Sequence, residues 1–473
     1  MGNSDDTTNA RILPAPRGLA LLMALGPGLI WCGEFIGSGE VILATRNGAI
    51  FGIAVLWVPI LATFAKFWIG LGGAHYAVTT GEGMIDMMGR IPGPKNWAIW
   101  PVFVVQIIAG AFSTGALATV TSYLLHYFFP GVSEFLLGWF AVVVVIGITW
   151  SGTFEPLKQA MSLLVLLIII GVFSIAIRTW PGMGAVIGAL FGFAIPAPAD
   201  WAVEQGLVTN SKAMEILPLL GWAAGGFASQ VWYSYWVMGA GYGATRGRGW
   251  GKPSDESALR AMTVDDAKQI RAWRRVVTAD ASMALIIGSI VTAAFLLAGA
   301  GVLAPLHSAP KDQSIATELA SVVSSHWGEW AGHFLVLAAV AAMLSTMLGQ
   351  FAGWPRLLAD CMRVLMPSSQ RWEWKHQFRA ILLLFAVSNF VIVYSFGLKP
   401  VLLVQYSAIL DGVFLIPLQA LAVGFGLYVI MPRFFNDDVK KHIRANPIFI
   451  LGLILAFIVY GYTYLHIPSL WPK

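Results

Sequence analysis

The amino-acid sequence predicts an all-α polytopic membrane protein of about eleven transmembrane helices, with helices 1 and 6 broken. Of its 473 residues, 58% are hydrophobic and only 11% are charged, whereas soluble domains carry about 25% charged residues. Apolar runs long enough to cross a bilayer recur along the whole chain. Two of these runs, five spans apart, are interrupted by glycines. Together these observations exclude an ordinary soluble protein.

Eleven runs approach the length of about 20 apolar residues that a helix needs to cross the hydrocarbon core. Tryptophan and tyrosine lie near many of their ends, as expected at membrane interfaces. The predicted spans are residues 18–48, 51–75, 98–127, 133–150, 158–178, 217–240, 276–303, 331–351, 378–397, 400–430 and 446–466.

The distribution of Lys and Arg predicts the orientation. With the N-terminus in the cytoplasm, 22 of the 29 basic residues fall on the cytoplasmic side and six outside, while Lys66 lies within the second span. This asymmetry follows the positive-inside rule. We therefore expect an integral protein of the cell (inner) membrane with its C-terminus outside. We also expect a monomer whose partners are the lipid bilayer and its cargo, with no nucleic acid.

The glycine interruptions predict the internal organisation. The first span contains Gly37-Ser38-Gly39 and the sixth contains Gly225-Gly226. Because five is odd, two five-helix units would be inverted relative to each other, which is typical of secondary transporters. The predicted segments are a cytoplasmic tail (1–16), a first repeat (17–180), an extracellular loop (181–216), a second repeat (217–430) and an additional eleventh span with the C-terminus (431–473).

Two glutamates, Glu34 and Glu40, flank the interruption in the first span. Each glycine there costs a helix about 1 kcal/mol relative to Ala, and a carboxylate at membrane depth costs at least about 2.5 kcal/mol. Irregular backbone is tolerated inside a bilayer only where it is buried in protein or lines a cavity. We therefore predict a substrate or ion site at Gly37 and Ser38, with Glu40 as its principal charged ligand. The alternative is that Glu40 hydrogen-bonds a neighbouring helix for structure.

Glu34 and Lys66 are predicted to act together as a proton or charge relay. Lys66 lies inside the second span and needs a counter-charge, which Glu34 could supply, or else it would be neutral. A purely structural role for Glu34 is the alternative.

Polar residues in the sixth and tenth spans could complete the site. Gly226 would offer its backbone, while Ser229, Gln230 and Gln405 would offer neutral oxygens and Asp411 a second carboxylate. Oxygen ligands suit hard cations such as Mg²⁺. Gln405 and Asp411 could instead only bond neighbouring helices, and packing is the favoured role for the eighth-span pair Ser345-Thr346.

Other functional classes lack support in the sequence. Cys32 and Cys361 are far apart, so neither a disulfide nor a cysteine metal cluster is expected. Nucleophile-elbow, zincin and Walker motifs are missing, so we expect neither an enzyme nor a resident cofactor. The long segment 241–275 starts glycine-rich and is interpreted as a basic cytoplasmic connector rather than a nucleotide loop.

Three stretches resemble the natural resistance-associated macrophage protein (Nramp) metal transporters. They are the GPGLIW…GSGEVILATRNGAIFGIAVLWV opening, the eighth-span VLAAVAAMLSTMLGQFAG and the tenth-span VQYSAILDGVFLIPL. The resemblance implies the amino acid–polyamine–organocation superfamily fold with its two inverted five-helix repeats. It also implies a secondary transporter that moves divalent metal cations by alternating access, as a symporter.

The departures from the family pattern fall on the site. Where the family has Asp-Pro-Gly-Asn, this chain has Gly37-Ser38-Gly39-Glu40, and the sixth-span Met-Pro-His becomes Ser229-Gln230-Val231. The resemblance thus leaves Glu40, Gln230 and Gln405 as metal ligands, and the loss of the thioether favours Mg²⁺ over Mn²⁺ or Fe²⁺. The alternative is a proton- or sodium-coupled carrier of an amino acid or related solute, whose carboxylate would bind the amides of Gly-Ser-Gly.

Overall fold

A computed structural model describes residues 12–208, 212–311, 314–395 and 399–465, in which all regular structure is helical, as predicted. The predictions for residues 1–11 of the tail and for Lys473 lie outside the described residues. By length and composition, six of the described helices can each cross a membrane. A bent pair over residues 437–463 could add a seventh span. The total of eleven spans stays a prediction.

The helices of the N-terminal part follow the predicted spans with shifts of a few residues. They are α1 (Ala20–Met23), α2 (Pro27–Phe35), α3 (Thr45–Phe51), α4 (Trp57–Thr80), α5 (Met84–Gly89), α6 (Ile99–Phe128), α7 (Glu134–Thr149) and α8 (Phe154–Arg178). A π-helical turn, Gly39–Ala44, precedes α3, and a 3₁₀ turn, Gly52–Val55, follows it. The predicted outer loop carries α9 (Met183–Phe191) and α10 (Asp200–Glu204).

The remaining helices include the second interrupted span. They are α11 (Ala213–Trp222), α12 (Phe227–Gly239), α13 (Glu256–Arg260), α14 (Val264–Ala298), α15 (Ile315–Trp327), α16 (Glu329–Leu365), α17 (Trp374–Ser395), α18 (Pro400–Ile409), α19 (Ile416–Phe425), α20 (Asp437–Ile443) and α21 (Ile448–Thr463). The π-helical turns Gly299–Leu303, Leu410–Phe414 and Gly426–Ile430 follow α14, α18 and α19. The 3₁₀ turns are Gly243–Thr245, Pro367–Arg371 and Met431–Phe434.

The two predicted interruptions are real breaks in the helices. The first break, residues 36–38, separates α2 from the π-helical turn before α3. The second break, residues 223–226, separates α11 from α12. Ala224 and Gly225 have φ angles of 60° and 68°. Such left-handed backbone ends an α-helix, and it is easily adopted by glycine but strained for alanine.

Tight packing places the first break deep in the bundle. Helix α2 packs against α8, α12, α14 and α16. A Cβ atom on Gly37 would lie 1.9 Å from Thr346 Oγ1, and one on Gly349 would lie 2.2 Å from Glu34 Cγ. Glycines at these two positions therefore let α2 and α16 approach closely. Cys32 and Cys361 are both buried free thiols.

Candidate functional site

The two breaks lie side by side around one small cavity. Its lining residues are Glu34, Phe35, Ser38, Gly39, Trp222, Gly225, Gly226, Ser229, Trp232, Thr346, Gln350, Trp354 and Asp411. The cavity volume is about 20 Å³. A cavity needs about 10–15 Å³ to hold a single water, so this one has room for one water or one small ion.

Glu34 presents a carboxylate to this cavity from the last turn of α2. The side chain is buried, with 3% of its surface exposed. Its carboxylate accepts a hydrogen bond of 2.5 Å from Ser229 Oγ, and that hydroxyl in turn accepts 3.1 Å from Trp31 Nε1. The pair links α2 to the first turn of α12, so the sequence-predicted residues Glu34 and Ser229 meet directly.

Asp411 supplies the second carboxylate, from the π-helical turn after α18. Its Oδ1 accepts from the Ala228 backbone N–H at 3.0 Å and from Gln106 Nε2 at 2.7 Å. The first bond caps the N-terminus of α12, where a negative charge is favourable. Gly226 permits this approach, because a Cβ atom there would lie 1.8 Å from Asp411 Oδ2.

Ser38 and Gln350 add neutral oxygens to the polar lining of the cavity. Ser38 is 1% exposed, and its Oγ has no hydrogen-bond partner among the described residues. Gln350 also lines the cavity, with its Oε1 accepting 3.0 Å from Ser113 Oγ. A buried hydroxyl without a partner is costly, so Ser38 is available to a ligand.

Glu40 turns away from the cavity and toward its own helix. Its carboxylate accepts from the Gly37 backbone N–H at 3.0 Å and from Thr292 Oγ1 at 3.3 Å. It thus caps the half-helix that begins after the first break. Glu40 is not among the residues that line the cavity. Its role as principal ion ligand stays a prediction, and the structure places Glu34 and Asp411 at the cavity instead.

Lys66 lies fully buried in α4, and its partners are carbonyl groups. Its Nζ donates to the backbone oxygens of Gly225 at 2.5 Å, Gly221 at 2.8 Å and Leu220 at 3.4 Å. Within the described chain it forms no salt bridge with Glu34, so the predicted pairing is not present in this structure. The ammonium instead caps the carbonyl end of α11, where the helix dipole favours a cation.

The two glutamines predicted as ligands lie apart from the cavity lining. Gln230 Nε2 donates to the Ala224 carbonyl at 2.8 Å across the second break, and its Oε1 has no partner among the described residues. Gln405 Nε2 donates to the Met214 carbonyl at 3.1 Å, near the start of α11. Both stay predictions as metal ligands.

Several residues at the site were not predicted as part of it. Gln106 and Gln350 lie in apolar spans and could have been found as isolated amides at membrane depth. Trp354 Nε1 donates to Gln106 Oε1 at 2.6 Å and so supports Asp411 indirectly. Thr346, expected only to pack, donates to the Glu34 carbonyl at 2.7 Å and satisfies the end of α2.

A buried ion pair lies on the predicted outer side of the bundle. Arg46 Nε and Nη2 donate to the two Glu215 carboxylate oxygens at 2.8 and 3.0 Å. Arg46 Nη1 also donates to the Pro310 carbonyl at 3.1 Å. This bidentate pair ties α3 to α11, the outer halves of the two broken spans.

Two ionic networks lie on the predicted cytoplasmic side. Arg90 bonds the buried Glu82 carboxylate at 2.8 Å and reaches Glu256 at 2.9 Å. Arg363 bonds Asp86 at 2.6 Å and Asp360 at 3.3 Å. These networks join α5 to α13 and to α16.

Comparison with protein families gives one family for the chain. Residues 28–460 match the model described as natural resistance-associated macrophage protein-like. An uncharacterized protein of Pasteurella multocida is 24% identical over 353 residues, which cover 72% of this chain and 71% of the relative. The divalent metal cation transporter MntH of Yersinia enterocolitica is 30% identical over 96 residues, 20% of this chain and 24% of that protein.

A solved structure shares the fold. The manganese transporter of Eremococcus coleocola, in complex with an aromatic bis-isothiourea substituted compound, superposes with a TM-score of 0.63. The match covers 97% of this chain and 90% of the transporter at 15% sequence identity. At that identity the similarity establishes the fold alone.

Proposed function

The chain belongs to the natural resistance-associated macrophage protein-like family, and from this premise we propose that it transports divalent metal cations across the membrane. The observation that carries the proposal is the cavity between the two breaks, which has two carboxylates in its lining and the volume of one ion. Intramembrane carboxylates facing such a cavity mark ion pathways. The named transporters among the similar proteins, MntH and the Eremococcus coleocola protein, are carriers of divalent metal cations and manganese.

The donor set favours a hard cation such as Mg²⁺. Glu34 and Asp411 supply carboxylate oxygens, and the unpartnered Ser38 hydroxyl supplies a neutral one. Carboxylate, hydroxyl and water oxygens suit Mg²⁺, Ca²⁺ and Mn²⁺, whereas sulfur ligands would select softer metals. The cavity lining among the described residues includes neither methionine nor cysteine. We propose Mg²⁺ ahead of Mn²⁺ or Fe²⁺ because the lining lacks a sulfur ligand that would favour the transition metals.

Alternating access is the proposed mode of transport. The outer Arg46–Glu215 pair and the inner networks around Arg90 and Arg363 would open in turn. The broken helices carry both the cavity and the outer closure, which supports coupling between cargo binding and opening. We also propose inverted five-helix repeats, eleven spans, a cytoplasmic N-terminus, an inner-membrane location and a monomer.

The amino-acid carrier is the less favoured alternative. An amino-acid carboxylate would need free backbone amides at the first break, and the Gly37 N–H already donates to Glu40. A cavity of about 20 Å³ also suits an ion better than an amino acid. A state with Glu40 turned out of its cap would be required for that function.

The test is uptake by the purified full chain in proteoliposomes. Mg²⁺, Mn²⁺ and a panel of amino acids are offered in turn, each with and without imposed proton and sodium gradients. We expect divalent uptake above that of protein-free liposomes, with Mg²⁺ ahead of Mn²⁺, and no amino-acid uptake. Amino-acid uptake without divalent flux would overturn the proposal, and Mn²⁺ ahead of Mg²⁺ would overturn only the choice of cargo.

A further inference from the structure

The carbonyl end of α11 and the second break together form a cluster of carbonyl groups that resembles the coordination shell of a monovalent cation. The backbone oxygens of Gly225, Gly221 and Leu220 all point at one place, the Nζ of Lys66. The aromatic ring of Tyr460 lies 5.7 Å from the same nitrogen. An ammonium group satisfies all these partners, because it offers three donors and a positive charge.

The cluster has a negative field because of its place in the fold. Leu220 and Gly221 lie in the last turn of α11, whose final carbonyls have no partner within the helix. The carbonyl end of a helix carries about half a negative charge. Of these two oxygens, Leu220 also accepts from Tyr460 Oη at 2.9 Å. The Lys66 ammonium therefore serves as the main counter-charge to this end of the helix.

No carboxylate within the described chain forms a salt bridge with Lys66, although three carboxylates lie in the neighbouring region. Glu34 bonds Ser229, Glu40 bonds Gly37, and Asp411 bonds Ala228. The carbonyl cluster is thus the direct environment of the ammonium. It is a site for a cation rather than one half of an ion pair.

We propose that the Lys66 ammonium is a tethered monovalent cation that occupies a cation site built from the carbonyls of Leu220 and Gly221 at the end of α11 and of Gly225 in the second break. The site would otherwise take a free monovalent cation such as NH₄⁺, K⁺ or Na⁺. Lys66 thereby neutralises the end of α11 and removes any need for a dissolved monovalent ion at this position. This role of Lys66 does not depend on the cargo of the adjacent cavity, and it would be the same if the cargo were a metal ion or an organic solute.

The test measures thermal stability of the purified full chain in ammonium, potassium, sodium or choline chloride at equal concentration. Lys66→Ala removes the ammonium and opens space beside the carbonyls. We expect this variant to melt lower than wild type in choline, and to regain about 5 °C in at least one of the small cations. Wild type and Lys375→Ala, which changes an exposed lysine, should respond equally to all four salts.

Two further variants separate charge from space and from hydrogen bonding. Lys66→Met fills the space without a charge, so it should be destabilised and should not respond to the small cations. Lys66→Gln can donate to the same carbonyls without a charge, so it should also melt below wild type. Equal melting of Lys66→Gln and wild type would overturn the proposal. A folded Lys66→Ala that responds alike to choline and to the small cations would overturn it as well.

Discussion

The two breaks expose equivalent helix ends, but they satisfy them with different groups. At the first break, the Thr346 hydroxyl bonds the Glu34 carbonyl and the nearby Glu40 carboxylate bonds the Gly37 amide. At the second, Lys66 and Asp411 reach in from distant helices and bond the carbonyl end of α11 and the amide end of α12.

This difference assigns separate roles to the charges. Glu40, Lys66 and Asp411 each complement a helix terminus of the opposite sign. Glu34 makes no such contact, because among the described residues its carboxylate accepts a hydrogen bond only from the Ser229 hydroxyl. Glu34 therefore has the smallest structural role among these carboxylates. It is the best candidate to change its hydrogen-bond partner during transport.

We expect the largest effect when one of the two glutamates that flank the first break is replaced by glutamine. Loss of a residue that only positions a metal ligand costs about 10–100-fold in metal affinity or activity. Loss of a direct ligand should therefore cost at least about 100-fold. We expect Glu34→Gln to lower initial Mg²⁺ uptake in proteoliposomes by that amount. Glu40→Gln, which changes a cap and the bond to Thr292 but no group that lines the cavity, should lower it by about tenfold.

The matched pair makes this comparison decisive, since both changes remove one carboxylate charge from the same break. Uptake is normalised to the amount of reconstituted protein, with melting temperature as the control for folding. A larger loss in Glu40→Gln than in Glu34→Gln would restore Glu40 as the principal ligand and reverse the assignment made from the cavity.

Asp411 provides an intermediate effect that separates its capping role from its charge. Asparagine caps helices as well as aspartate does, whereas alanine costs about 0.5–2 kcal/mol. Asp411→Asn should therefore keep most of the unfolding free energy but lose about tenfold or more in Mg²⁺ uptake. Asp411→Ala should lose both, as measured by denaturant unfolding and uptake. Full uptake in a stable Asp411→Asn would remove Asp411 from the ion site.

Gly37→Ala should have the smallest effect and reports on packing at the first break. The added Cβ would lie 1.9 Å from Thr346 Oγ1, and overpacking typically costs about 1–3 kcal/mol. We expect a lower melting temperature for Gly37→Ala than for Gly147→Ala, a helical position with open space around it. Adding Thr346→Ala should recover part of the loss. If the two single variants melted alike, close packing at the first break would not be required.

Much of the fold follows from local features of the sequence. Apolar runs predict the membrane helices because the bilayer imposes length and hydrophobicity on every span. The glycines at 37 and 225 predict the breaks because they weaken helical backbone locally and tolerate left-handed conformations. These signals lie within single segments, so no knowledge of neighbouring helices is needed to interpret them.

The site was only partly predictable. Glu34, Ser229 and Asp411 stand out in the sequence as polar groups in apolar spans, and all three line the cavity. Lys66 and Glu34 form no salt bridge among the described residues, because the ammonium bonds the nearer carbonyls of Gly221 and Gly225, which charge alone could not reveal. The support that Gln106 and Trp354 give to Asp411 depends on contacts between helices that are far apart in sequence.

The sequence by itself determined that the chain is a membrane protein with two broken helices and ionisable groups at membrane depth. The tertiary structure decided which of those groups face the cavity and which cap helix ends. The physical reason is that a break changes how the following helix segment is rotated about its axis. The position of a residue along the span therefore does not reveal where its side chain points after the break. Glu34 and Glu40 are six residues apart in one span, and only the packing of α12, α14 and α16 around them gives one the cavity and the other a helix terminus.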